Sequence, residues 1–512
     1  MRLKLLPLPA TLALLFTLLT FAPVSAAAQG IEGAMRMASG YGNSQDQKNL
    51  QDFYALRRYT PAWQLEQAGP QGTKDFVQYI RFLLHEHGLN DERYPLDLFQ
   101  QQVNARAVAE ADVLASFIIL KIAKSLSGQD PIPRSDPDHI WPLRRAPIDL
   151  PRGLESAVER RIVPQFLEGL APHHTQYQKL REALANYRAI EDKGGWIKLI
   201  PGYRLARGQD SPQVPLLEQR LAQEGYYPFE MVDYRNPHYS EALGHAVTAF
   251  QQAHGLIMDG NVGSQTLLAL NTGASERIDE IRANLARLRV TPPEAWEGII
   301  INIPSFRLLL YHGGEQIYQA PVVVGRPDRA SPLVVSTVSD LIINPAWYVP
   351  GSIAEKDILP KLRENPNYLE EAGLEGPENA AELDGASSGQ FWQRPGPDNS
   401  LGRIKFNFVN RFGVYLHGTP HVELFDRDDR RQSSGCIRLK KPEELAEILM
   451  GNSPDWNEAR LQERIDTMKT MHVPPRIKMP IKLLYWTVMM NSQNHVEFYN
   501  DVYQLDDPWL EF

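Results

Sequence analysis

The sequence predicts a multidomain α+β protein: a helical scaffold, a small three-helix module, and a β-rich, sandwich-like domain carrying an inserted segment. Three observations predict it. Apolar and aromatic residues cluster at helical spacing between Ser44 and about Ala206. A compact unit with three apolar stripes and a Gly-rich turn follows from Ser211. From Gly298 onward, β-branched residues dominate short runs set off by Gly, Pro and Asn. With 512 residues, 43% hydrophobic and 22% charged, the chain has ordinary globular composition and length for several cores.

Arg2 and Lys4 precede the apolar stretch Leu5 to Phe21, and Ala22 to Ala28 supplies small residues. Residues 1–28 therefore read as a secretory signal peptide cleaved near Ala26 or Ala28; Pro7, Pro9 and the short apolar length argue against a retained membrane anchor. That leader has no cysteine for lipid attachment and no second apolar span follows, so the mature protein is expected to be soluble outside the cytoplasm. Residues 29–210 form the expected helical scaffold. Phe53, Tyr54, Leu56, Tyr59 and Trp63 mark one segment, Phe76, Ile80, Phe82, Leu83 and Leu84 the next, and Val113 to Leu126 a strongly apolar third. Pro131, Pro133 and Pro137 break the pattern, and Trp141, Trp196 and Tyr203 lie where no period is assignable. His85 with His87, and His173 with His174, lack the i, i+4 spacing that aims two ligands from one helix face, so no metal is expected.

In the module, 211–275, the helical stripes are Leu216, Leu217 and Leu221; Leu243, Ala246, Val247 and Phe250; and Thr266, Leu267, Leu268 and Leu270. A linking helix is expected over 276–297, before a β-rich domain over 298–512. Gly313-Gly314 joins Arg307 to Tyr311 and Gln316 to Val324 as a hairpin, because two glycines supply the positive φ of a tight connection. Further strands are expected at Gly298 to Ile303, Leu333 to Ser339, Leu341 to Asn344, Ile404 to Phe408 and Gly413 to Leu416, with edge strands at Ile481 to Met489 and Val496 to Tyr499. Pro442 opens a helix to about Met450, with Glu443 and Glu444 in its first turn. Residues 351–400, rich in Gly, Pro, Glu and Asn, are too many for an ordinary connection; they read as a lid over a site or as a solvated excursion.

Cys436 is the chain's single cysteine and cannot form an intramolecular disulfide. It lies in Ser433-Ser434-Gly435-Cys436-Ile437-Arg438, downstream of His417-Gly418-Thr419-Pro420. A thiol attacks carbonyls as thiolate and needs a base or a cation beside it, and His417, ending a predicted strand, is placed to serve. The N–H groups of Gly435 and Cys436 are candidate oxyanion donors. Arg438 either binds a substrate carboxylate through its planar fork or ties the cysteine turn to the scaffold. Tyr415 and Trp347 are candidate groove walls, or core. Asn344, Arg403 and Asn407 are weaker candidates; His421 lies beyond Pro420, and His312 reads as a turn residue. The net charge of −9, without a long Lys/Arg run, argues against a nucleic-acid partner.

YLHGTP followed by SSGCIRL resembles the signature of the L,D-transpeptidase (YkuD-type) catalytic domain, and INPAWYVP, DILPKL and RPGPDNSLGRIKFNFVN are similar to its large subgroup from Gram-negative envelopes. EGYYP with AVTAFQQAHGLIMDGNVGSQTLLALN resembles the peptidoglycan-binding module of cell-wall enzymes, where the alternative is a spacer. The resemblance implies that Cys436 is the nucleophile, His417 the general base, the Gly418 carbonyl the orienter of its ring, and Gly435 and Cys436 the oxyanion donors. Many smaller members have histidine where this chain has Ser434, so Ser434 is read as a supporting residue.

The reaction implied is attack on the bond between the third residue of a stem tetrapeptide and its terminal D-alanine. D-Alanine leaves, and the thioester is then taken by the side-chain amine of diaminopimelate on a second stem. No cofactor is implied. The partners implied are donor and acceptor peptidoglycan stems and the cell-wall synthases or carboxypeptidases that prepare them, in the periplasm; carbapenems are implied inactivators. Hydrolysis of the same thioester (an L,D-carboxypeptidase or amidase), transfer to a lipoprotein lysine, and a noncatalytic wall-binding scaffold remain alternatives, because water exclusion and acceptor binding are not written in the motif.

Overall fold

A computed structural model describes residues 24–134, 136–377, 383, 385–451, 453–491 and 495–511. The leader expected over 1–28 lies mostly outside them, and from Val24 the chain is helical to Met37. No helix among the described residues is long and apolar enough to cross a membrane.

The helical half is organised by Val108–Leu126, whose residues from Ala111 to Leu120 are all buried. An apolar helix with no polar face needs cover on every side, and Val24–Met37, Ser44–Leu56, Leu96–Asn104 and Val163–Leu170 provide it. Asp112 on this helix fixes the incoming chain: it accepts from the Tyr54 hydroxyl at 2.6 Å and from the N–H groups of Ala62 and Trp63.

The helix expected as a link, Ala274–Val290, is instead a core element. It packs on Thr175–Glu191 and on the short helix Asp507–Leu510, burying Ile281, Leu285, Leu288 and Val290. Arg287 is buried against Asp506 and the Leu505 carbonyl, and Arg289 donates to the His87 carbonyl. One continuous apolar cluster consequently runs from the scaffold through this helix into the C-terminal sheet. The three-helix module, Val214–Gln223, Glu241–Ala253 and Ser264–Asn271, keeps a separate core that also takes in Leu199 and Leu205, ahead of the expected boundary at 211.

The C-terminal strands are β1 (Gly298–Asn302), β2 (Arg307–His312), β3 (Glu315–Gly325), β4 (Val334–Ile343), β5 (Trp347–Tyr348), β6 (Trp392–Gln393), β7 (Ile404–Phe408), β8 (Leu416–His417), β9 (Arg431–Ser433), β10 (Ile437–Leu439), β11 (Met471–Val473), β12 (Pro480–Leu484), β13 (Val488–Met490) and β14 (Val496–Phe498). The main sheet follows the path β10-β8-β7-β4-β12-β1-β2-β3, and β3 pairs back onto β10, so the sheet closes on itself. Closure removes the free edges that would otherwise template pairing with another chain.

Three strand expectations change. Leu333 to Ser339 and Leu341 to Asn344 are one strand, β4, whose pairing with β7 shifts register near Asp340. The segment expected at an edge from Ile481 is central: β12 lies between β4 and β1, with Ile481, Leu483 and Leu484 fully buried. Gly413 to Leu416 shortens to the two residues of β8, because Asn410 holds Val414 in a turn through its side chain. The described residues between Val349 and Phe391 form a small helical lobe with its own apolar cluster of Val349, Ile358, Leu359, Leu362, Leu374 and Phe391, and the β5–β6 pair closes its neck.

Candidate active site

Strand register brings the reactive groups together. β8 runs parallel to β10 with His417 opposite Arg438, and antiparallel to β7 with Lys405 opposite His417. One residue back, the Ile437 N–H donates to the Tyr415 carbonyl at 3.0 Å, which sets Tyr415 beside Cys436. Side chains alternate across a strand, so Ile404, Phe406, Leu416 and Ile437 turn into the core while Lys405, Tyr415, His417, Cys436 and Arg438 share the other face.

The cysteine loop is held by serines. Gly435 has φ +105°, open to glycine alone without strain. Its N–H donates to the Ser433 hydroxyl at 3.1 Å, and that hydroxyl donates to the Cys436 carbonyl. The expectation that Gly435 offers an oxyanion donor is thereby corrected: its N–H is engaged within the loop, whereas the Cys436 N–H has no protein acceptor among the described residues. Ser331 donates to the Gly435 carbonyl at 2.8 Å, and the Ser331 carbonyl lies 3.1 Å from Nε2 of His139, on a strap of the helical half. Ser434 accepts from Arg329 at 3.0 Å, and Arg329 forms a bidentate pair with Asp357 of the lobe. Trp347, in the neck, and Cys436 both act on the Tyr415 hydroxyl, Trp347 easing its ionisation and Cys436 opposing it. The lobe therefore reaches the cysteine loop through Arg329.

Nδ1 of His417 lies 2.5 Å from the Gly418 carbonyl, an N–H donation that leaves Nε2 as the basic nitrogen. Gly402 permits the close packing behind this pair; a Cβ there would stand 2.5 Å from the Thr419 nitrogen. Burial pulls His417 down to about 3, Arg438 and Lys405 add to that, and the Gly418 and Leu401 carbonyls oppose it. Burial pushes the Cys436 thiol up, while Tyr415, through main chain and hydroxyl, and the charges of Lys405 and Arg438 pull it back. Both groups therefore rest uncharged near neutral pH. Among the described residues no hydrogen bond joins thiol and imidazole directly; Tyr415 stands beside both, its ring centroid 5.6 Å from that of His417. Arg438 has no carboxylate or carbonyl partner among the described residues, and its Nε is buried without one.

The weaker candidates divide. Asn407 lines a cavity of about 260 Å³ with Tyr415, Ser339 and Asn410. Asn344 is structural: its amide caps the helix Glu458–Asp466 through the Ile465 carbonyl at 2.9 Å. Arg403 meets Met468, His421 pairs with Glu423 at the surface, and His312 pairs with Glu297 beside the hairpin turn. His87 is buried against Tyr177 and Glu168, and His174 stacks on Trp296. Larger cavities, of about 420 and 300 Å³, lie between module and sheet, away from Cys436. They bring together no nucleophile with a base, so the thiol face is the better candidate despite its shallowness. Sequence reading missed Lys405, Arg329, Asp357, Ser331 and His139. Lys405 alone had a signal, as a polar position in the alternation of Ile404 to Phe408.

Residues 297–462 match the L,D-transpeptidase catalytic domain (YkuD), 48–184 the Scaffold domain, and 210–270 the "Putative peptidoglycan binding domain". The chain is similar to the "Putative L,D-transpeptidase" of Haemophilus influenzae, 34% identical over 237 residues, 44% of this chain and 48% of that protein. It is also similar to the "Probable L,D-transpeptidase YcfS" of Escherichia coli (strain K12), 30% identical over 186 residues, 35% of this chain and 49% of that protein. The chain spans about half the length of the curated relatives it matches. Among solved structures, an L,D-transpeptidase from Xylanimonas cellulosilytica aligns at 18% identity and TM-score 0.19, covering 56% of this chain and 100% of that one. Another, from Stackebrandtia nassauensis, aligns at 13% and 0.22, covering 55% and 94%. At these TM-scores neither superposition carries an argument here.

Proposed function

We propose that this chain, in which an L,D-transpeptidase catalytic domain is joined to a scaffold domain and a peptidoglycan-binding domain, is a peptidoglycan L,D-transpeptidase acting through a Cys436 thioester. The observation that carries the reading is the shared face of β7, β8 and β10: one thiol, one neutral imidazole, and an arginine with no partner among the described residues, inside the segment that matches the catalytic domain.

The donor stem lies with a carboxylate on Arg438, whose planar fork suits it. That carboxylate offsets one of the two charges suppressing His417, so the base strengthens as the donor arrives. Nε2 of His417 takes the thiol proton, sulfur bonds the carbonyl carbon before the terminal D-alanine, and the oxyanion meets the Cys436 N–H. Such a donor contributes ~2.7 to 4 kcal/mol to lowering a barrier. The C–N bond breaks and D-alanine leaves with the proton from His417; a diaminopimelate amine of a second stem then attacks the thioester carbonyl, the C–S bond breaks, and the proton the amine gives up to His417 returns to sulfur. The lobe excludes water during this interval, which favours amine over hydrolysis. Export to the periplasm, binding of wall by the three-helix module, and acylation of Cys436 by carbapenems belong to the same reading.

Purified tetrapeptide muropeptides are expected to yield cross-linked dimers and free D-alanine with the wild-type chain and neither with Cys436→Ala. Turnover by Cys436→Ala would overturn the reading; tripeptide monomers alone would assign hydrolysis.

A further inference from the structure

We propose that Lys405 is the cation that holds the Cys436 thiolate, so that His417 supplies the base but not the counter-charge. This rests on reading Cys436 as the nucleophile. Lys405 projects from β7 onto the thiol face opposite His417, and its ammonium stands 3.8 Å from the centroid of the ring of Tyr415, the residue that the Ile437 N–H sets beside Cys436. A cation on an aromatic face is held where it is without being neutralised. Among the described residues Lys405 makes no hydrogen bond to a carboxylate or carbonyl. The carboxylate facing it from β4, Asp340, is taken by His472 at 2.7 Å, and Glu423, which faces Arg438, sits with His421.

The charged and titratable groups on the thiol face are therefore Lys405 from β7, Tyr415 and His417 from β8, and Arg438 from β10. An imidazolium enclosed between Lys405 and Arg438 is disfavoured by like charge as well as by burial, so a lasting thiolate–imidazolium pair does not form here. When the S–H bond breaks, its proton passes to Nε2 of His417 and the electron pair stays on sulfur, opposite the Lys405 ammonium. With Arg438 committed to the donor carboxylate, Lys405 is the cation left for the sulfur. Burial in turn draws the ammonium down from the ordinary lysine range, consistent with a charge waiting for an anion.

The test is the pH dependence of Cys436 alkylation by iodoacetamide, followed by intact mass on the full chain, for wild type, Lys405→Met, Lys405→Gln and Lys405→Arg. Loss of the charge is expected to raise the midpoint by about one pH unit, a roughly tenfold slower alkylation at pH 7, with Lys405→Arg restoring most of it. Unchanged midpoints in folded Lys405→Met and Lys405→Gln overturn the proposal, including the case where muropeptide turnover is nonetheless lost, which would make Lys405 a substrate contact. Because alkylation needs no muropeptide, a shifted midpoint in a chain that makes neither dimers nor tripeptides would retain this inference and sink the proposed reaction instead.

Discussion

Arg438 and Ser434 stand two positions to either side of Cys436, yet they serve different masters. Ser434 is tied through Arg329 to the lobe, whereas Arg438 has no acceptor among the described residues. A half-buried guanidinium whose Nε has no partner is costly unless an anion completes it, and under the proposed reaction that anion is the donor carboxylate. Arg438→Met is therefore expected to raise KM for a tetrapeptide donor roughly tenfold or more, on the order of a charged hydrogen bond worth ~1.5 to 3 kcal/mol. A donor ending in a carboxamide should bind wild type and variant alike. Steady-state kinetics with both donors decides it; equal losses on the two would return Arg438 to a structural duty. The His–Gly–Thr and Ser–Gly–Cys strings exposed Cys436 and His417 because their chemistry is local. Lys405 stayed hidden because its relation to Cys436 exists only across two strand pairings.

At the scale of elements, the lobe is the part with most consequence. Its apolar cluster is its own, and Asp357 ties it to the cysteine loop through Arg329. Asp357→Ala frees Arg329 while leaving the lobe core intact. The expected result is severalfold slower acylation by muropeptide, a higher share of tripeptide over dimer as water enters, and a thermal midpoint within a few degrees of wild type. Unaltered product ratios would make the lobe a surface excursion. Periodicity located most strands, but it placed β12 at an edge. An apolar run bounded by turns reads alike for a central or an edge strand, and its place depends on pairing partners distant in sequence.

For the molecule as a whole, several buried groups set the response to acid. Burial holds His254 near 3, His417 near 3 and His174 near 4. Each folded pKa lies below the unfolded value of about 6.5, so the stability they contribute is present above that pH and lost as pH falls toward 4. Asp112 and Asp506, pushed up to about 6 by burial, act in the opposite sense, contributing most below about 4 and losing that as pH rises through 6. His254 stacks on Phe250 and Phe498 where the module meets the sheet. His254→Phe keeps the stack and removes the proton, and is expected to flatten the fall of unfolding free energy between pH 6 and 4 by up to about 1.4 kcal/mol per pH unit. Urea unfolding at several pH values measures it, and an unchanged slope would mean that His254 takes up its proton in the folded state. By itself the sequence determined the order of the three units, the hairpin at Gly313-Gly314 and the candidate thiol and imidazole, since periodicity, turn chemistry and a signature string act over neighbouring residues. Tertiary structure alone decided that Ala274–Val290 joins the scaffold and sheet cores, that the sheet closes through β3 and β10, that Lys405 shares the thiol face, and that Arg329 and Asp357 tie the lobe to the cysteine loop. Those outcomes depend on which distant surfaces bury each other, and burial is a property of the packed chain rather than of any stretch of it.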